Sequence, residues 1–190
     1  MSEYLLIDTE TSGLLPATSD VIEIGACALA GDLTLAGPEF HRLIRPTLPV
    51  AREAINVNGH TWALDPDSPG WTAALEPRAA WLAFEDWIRE HYGTRGWIVM
   101  VGWNVGFDHA QLKMLCDRAV GWWPFHFQTL DLLTVCRYLD IRADRSRRSY
   151  RLDALAKELG GVPKDGKLHT AMTDAKTCLA VLERFEDMGR

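Results

Sequence analysis

Ile7-Asp8-Thr9-Glu10-Thr11-Ser12-Gly13-Leu14 follows directly on the apolar run Tyr4-Leu5-Leu6-Ile7. A run with no polar interruption reads as a strand buried on both faces, which places it in the middle of a sheet. Side chains at i and i+2 of a strand share a face, so Asp8 and Glu10 project together from its end. Two carboxylates that close repel unless a cation lies between them. Magnesium and manganese prefer oxygen ligands and suit the position. Read alone, the same residues are equally a solvated strand end with two acids.

Outward from this stretch, Ser12 to Asp20 carries Gly13 and Pro16 and reads as a loop. Val21–Leu29 and Phe40–Ile44 are two more strands, and short connections make the three an antiparallel meander. Pro46 to Pro77 reads as irregular, with a short helix over Arg52–Val57. Ala80, Trp81, Phe84, Trp87 and Ile88 recur at helical spacing within Arg78–His91. Trp97–Val101 is a strand, Asp108–Arg118 a helix, Gln128–Leu130 a short strand and Leu132–Leu139 a helix. Leu152–Leu159 is a helix stopped by Gly160-Gly161. A last helix starts near Thr170, a suitable N-cap, and buries Ala171, Ala175, Cys178, Leu179, Leu182 and Phe185. Strands followed by interleaved helices and strands predict a single α/β domain over residues 1–190.

The chain is 47% hydrophobic and 24% charged, with a formal net charge of −6. That balance argues against a basic nucleic-acid coat and leaves room for an enzyme whose acids hold metal. Cys27, Cys116, Cys136 and Cys178 lack the spacing of a zinc site, and core packing is the reading for Cys178. No signal segment and no membrane-length apolar run appears, so the expectation is a cytoplasmic protein without a membrane partner.

Two further stretches carry chemistry. Val101-Gly102-Trp103-Asn104-Val105-Gly106-Phe107-Asp108 ends a strand, turns on glycine and opens a helix with an acid. Taken alone, Asp108 is a helix cap. His169 precedes the last helix and Asp174 lies in its first turns; a lone histidine there is more often a capping or surface residue.

Together the three stretches resemble, in order and in local sequence, the motifs of the DEDDh family of 3′-to-5′ exonucleases. Asp8-x-Glu10 matches the first motif. Asn104-x-x-Phe107-Asp108 matches the second, and His169-x-x-x-x-Asp174 the third. Val21–Ala26 and Arg151–Ala156 resemble the family's connecting segments, so the likeness runs from Tyr4 to about Phe185. It implies a ribonuclease-H-like three-layer α/β sandwich: a five-stranded mixed sheet with helices on both faces. It also implies two divalent ions, Mg2+ or Mn2+, held by Asp8, Glu10, Asp108 and Asp174. His169 would be the general base toward the attacking water, and the products 5′-mononucleotides.

The same resemblance makes Leu14 a wedge against the terminal bases and gives Thr9 and Thr11 contacts to the terminal sugar. Asn104 and Phe107 are substrate-side candidates, although Phe107 reads slightly better as packing. Trp103 stands where the family often has histidine, and Asn58 likewise. Trp103 reads as a gap-filler or a stacking surface. Arg142 to Arg151 holds five arginines against Asp144, a local +4 that leaves −10 for the remainder. Arg145, Arg147 and Arg148 are therefore phosphate-binding candidates, with a solvated loop as the plainer reading. Trp122–Phe127 reads first as core and second as a partner surface. The expected partner is a nucleic acid with a free 3′ end, single-stranded or frayed; a DNA polymerase and a second copy are the protein partners this reading admits. DNA proofreading or repair is the leading function. RNA trimming is the alternative, although Glu10-Thr11-Ser12-Gly13 departs from the Glu-Met-Thr-Gly of the oligoribonuclease branch. A non-catalytic, polymerase-associated module is disfavoured, because all four acids and the histidine are present.

Overall fold

The computed structural model describes residues 3–94, 96–160 and 170–189. Its sheet has five strands in the order β3-β2-β1-β4-β5. They are β1 (Glu3–Thr11), β2 (Val21–Leu29), β3 (Leu35–Leu43), β4 (Ile98–Gly102) and β5 (Leu130–Asp131). β1 pairs antiparallel with β2 and β2 with β3, as the meander predicts. β4 runs parallel to β1, and β5 parallel to β4. The sheet is therefore mixed, and β1 occupies its centre.

The pleat of β1 divides the core. Leu5 and Ile7 face one apolar layer with Ala80, Trp81, Phe84 and Ile88 of α3 (Pro77–Tyr92). Leu112, Leu115 and Cys116 of α4 (Gly106–Ala119) join the same layer. Leu6 faces the other layer, built by α5 (Leu132–Arg142), α6 (Leu152–Leu159) and α7 (Ala171–Gly189). Helices on both faces of a five-stranded mixed sheet make the ribonuclease-H-like sandwich that the family resemblance implied. Asp8 and Glu10 continue the Leu6 face, the one against which α7 packs.

Several boundaries differ from expectation. β1 continues through Asp8 and Glu10 to Thr11, because β2 pairs with it over that whole length. The segment from Pro46 to Pro77 is more ordered than its prolines suggest. It contains α1 (Arg52–Asn58), a 3-10 turn (Thr61–Leu64) and α2 (Pro69–Ala73). Asp20 anchors its start, its Oδ2 accepting the Thr47 and Leu48 N–H groups at 2.6 and 2.7 Å. Thr170 does cap α7, its hydroxyl accepting the Thr173 N–H at 3.3 Å. All four cysteines are buried and unpaired, Cys178 within the helical layer. Among the described residues, no helix is long and apolar enough to cross a membrane.

Candidate active site

Two glycines let the site close. A Cβ on Gly25 of β2 would sit 2.3 Å from the Met172 amide nitrogen, so the start of α7 rests directly on the sheet. A Cβ on Gly102 would sit 2.6 Å from the Ile7 carbonyl oxygen, so the end of β4 lies equally tight on β1. The first contact brings the first turn of α7 to the end of β1. Asp8, Glu10 and Asp174 each offer a carboxylate oxygen there, all within 4.8 Å of one another.

The three are half-buried, and their charges oppose one another. Burial pushes the Asp8 carboxyl well above its usual range, with Asp108, Glu10 and Asp174 adding to the effect. Burial, then the charges of Asp174 and Glu23, push Glu10 up to about 8, against a hydrogen bond from Asn58. Carboxylates held this close and this dry are stabilised by a hard cation, so oxygen donors for Mg2+ or Mn2+ fit the position.

Asp108 lies at the edge of this group and is not a helix cap, since Val105 occupies the N-cap of α4. It is 3% exposed, and its Oδ1 accepts the Thr9 N–H at 2.8 Å and the Thr9 hydroxyl at 2.7 Å. Burial pushes its carboxyl up to about 7, with the Thr9 hydrogen bonds pulling down. Asp108 thus ties α4 to β1 and faces Asp8 across the strand end. His169 lies outside the described residues.

On the Glu10 side is a cavity of about 650 Å3. Thr9, Thr11, Leu14 and Phe107 all line it, so the structure gathers these four candidates. Leu14 is 80% exposed at its rim. The Thr9 hydroxyl is engaged by Asp108, and the Thr11 hydroxyl donates to the Gly13 carbonyl at 2.8 Å. Sugar contacts through those hydroxyls would have to displace these bonds. Gln111 pins the loop below, donating to the Gly13 and Leu14 carbonyls at 3.4 Å each.

On the Asp174 side, Trp103 and Asn104 line a second recess. Asn104 adopts a left-handed backbone (φ 57°), which asparagine tolerates, and its N–H donates to Asp131 at 2.8 Å. The arginine run needs correction. Arg147 is not poised for phosphate: its side chain is 7% exposed and bound to Asp140, which is wholly buried, at 2.5 Å. It also pairs with Glu158 and lies over the Phe185 ring. Arg145 is held 3.1 Å from the same Asp140, so of the three candidates only Arg148 is exposed. A buried aspartate that gathers two arginines is a tertiary event, and local charge does not reveal it.

Sequence reading also missed Glu23, which faces Glu10 across the β1–β2 ladder. His41 and His60 each lie 2.6 Å from one of its oxygens. Burial raises the Glu23 carboxyl, but the hydrogen bonds from His41 and His60 outweigh it and hold it down at about 2. Its position in Val21–Ala26 was legible; its partners, far along the chain, were not. In Trp122–Phe127 the core reading holds for Phe125, while Phe127 is exposed.

A ribonuclease-H-like sheet with acids converging at the end of its central strand is a nuclease-type architecture, and the known proteins agree. The exonuclease family model matches residues 5–182, and the chain belongs to that family. It is 28% identical over 187 residues to the PolC-type DNA polymerase III of Thermotoga maritima, spanning 97% of this chain and 12% of the polymerase. It is 24% identical over 177 residues to the Escherichia coli 3′-5′ DNA exonuclease Cap18, covering 91% of this chain and 86% of that protein. E. coli exonuclease I, crystallised with a dT13 oligonucleotide, superposes with a TM-score of 0.74 at 20% identity, over 96% of this chain and 41% of that one. The chain thus spans about an eighth of the polymerase it matches.

Proposed function

We propose that this chain is a divalent-metal-dependent 3′-to-5′ exonuclease that releases 5′-mononucleotides from DNA ends. The observation that carries the reading is the convergence of Asp8, Glu10 and Asp174 beside a nucleoside-sized cavity. Asp8 would serve both ions, with Glu10 and Asp174 completing the oxygen donors of one and Asp108 supporting the other. Two divalent ions, when bound, polarise the scissile phosphate and stabilise the leaving oxygen. The chain's own groups do the rest. The cavity takes the terminal nucleoside, with Leu14 against its base and Phe107 in the wall. His169, assigned by the likeness of His169-x-x-x-x-Asp174 to the family's third motif, takes the proton from the attacking water.

DNA is favoured as substrate because relatives along most of this chain include a DNA exonuclease and a DNA polymerase. The polymerase relatives also make a polymerase the protein partner to test first, with a second copy next. The deciding experiment is a panel of 5′-end-labelled single- and double-stranded DNA and RNA oligonucleotides, each with magnesium or manganese. Stepwise shortening of DNA from the 3′ end is expected. Faster shortening of RNA would reassign the substrate, cutting of a circular single strand would reassign the reaction, and inertness of every substrate would leave a binding module.

A further inference from the structure

Two recesses flank the carboxylates, and their walls differ in chemistry. The one that shares Glu10 is walled by Leu14, Leu15, Pro49, Ala54, Val57 and Phe107, with no Lys or Arg among the described residues of its lining. It suits one nucleoside, and its described residues offer no cation to a second phosphate. The other shares Asp174, measures about 560 Å3 and opens between the β4–α4 turn, α5 and the start of α6. Arg137 and Arg151 stand in its wall beside the rings of Trp103 and Tyr150.

A strand whose last nucleoside fills the first recess must lead its remaining phosphates away on the far side of the bond to be cut. We infer that the groove of Trp103, Arg137, Tyr150 and Arg151 carries the single-stranded nucleic acid upstream of that bond, with the arginines on phosphates and Trp103 against a base. The inference rests on the exonuclease reading for the direction of the strand. With a net charge of −6, the chain has no general excess of cations to hold a polyanion, so placed arginines must do it.

The groove is built from beneath. The Trp103 indole N–H donates to the Tyr150 carbonyl at 3.2 Å. The Tyr150 hydroxyl donates to Asp140 at 3.0 Å, and Asp140 is the buried partner of Arg147. The Arg137 guanidinium lies over the Tyr150 ring, 5.0 Å from its centroid. Arg147 thus acts on substrate indirectly, by fixing the floor on which Tyr150, Trp103 and Arg137 rest, while Arg151 of the same run stands in the wall. Arg151 is 73% exposed and pairs with Asp153 at 3.0 Å. Such a surface pair contributes little, so a phosphate can take its place.

Anisotropy of a 5′-fluorescein hexathymidylate, measured in EDTA across a salt series, reads the groove without turnover. For Arg137→Ala/Arg151→Ala the Kd is expected to rise about tenfold or more. The slope of log K against log salt should flatten by about 1.4, since each phosphate contact on a single strand contributes about 0.7. Arg137→Lys/Arg151→Lys should recover most of that slope, which a folding defect would not allow. In magnesium, the alanine variant's loss in kcat/KM should grow as the oligonucleotide lengthens from two to six nucleotides and should lie in KM. An unchanged Kd and slope, or a loss equal at every length, would overturn the inference. If wild type binds with the full slope yet degrades nothing, the groove stands and the exonuclease reading falls.

Discussion

Glu10→Gln, with metal removed, should make the protein more stable at pH 8 than the wild type. The Glu10 carboxyl is pushed from 4.5 to about 8 by burial and by Asp174 and Glu23. Between those values the folded chain keeps a proton that the unfolded chain has released. Stability contributed by the protonated form is therefore complete below pH 4.5 and lost as pH rises toward 8. At about 1.4 kcal/mol per pH unit the ceiling on that loss is about 5 kcal/mol. Coupling to Asp8 and Asp174 lowers the realised figure, because the acids share protons. Even a third of the ceiling corresponds to about 3–6 °C in Tm for a domain of this size. The assay is thermal unfolding in EDTA from pH 5 to 8 for wild type and Glu10→Gln. The wild-type Tm should fall relative to the variant as pH rises, and manganese should restore the wild type far more than the variant. A difference between them that stays flat with pH, or that manganese leaves untouched, would refute the account of Glu10 as a strained carboxyl awaiting a cation.

The other predictions follow the same geometry. Asp8→Ala should abolish cleavage and remove at least one manganese site from a calorimetric titration, since Asp8 lies among all the other acids; intact two-site binding would contradict its assignment. Arg147→Ala, which leaves the buried Asp140 to Arg145 and Tyr150, should cost about 1.5–3 kcal/mol in urea unfolding, and a change near zero would show that Asp140 is not the anchor described. Gly25→Ala forces a Cβ into the α7 backbone, so about 1–3 kcal/mol of stability and most of the activity should be lost together; full activity would mean that α7 can shift without moving Asp174. His169→Gln should lower kcat by about 100- to 10,000-fold while leaving manganese binding intact, and turnover within a few-fold of wild type would remove the histidine from the base role.

How much of this was legible in the sequence depended on the distance over which each feature is decided. The strand character of Tyr4–Ile7 and the shared face of Asp8 and Glu10 follow from local alternation, and they stand. The convergence of Asp174 on that pair was legible only through resemblance, because it depends on Gly25 admitting α7 against the sheet. Asp108 looked like a helix cap because nothing nearby reveals that Thr9, 99 residues away, supplies its hydrogen bonds. The arginine run misled for the same reason, since charge density says nothing of a buried Asp140. Pro46 to Pro77 looked irregular because its order comes from Asp20 gripping backbone amides across a gap in sequence.

The seat of α7 on Gly25 has a consequence for the timing of activity. The acids that converge come from β1 and α7, so no stretch of chain short of both contains the centre. A ribosome making this protein would expose β1 with its two acids long before Asp174 emerged. Until α7 settles on the sheet, the growing polypeptide has only two of the three converging carboxylates in place. The proposed hydrolase is thereby held inert until α7 has been made and has docked, by the order in which its parts leave the tunnel and without an inhibitor.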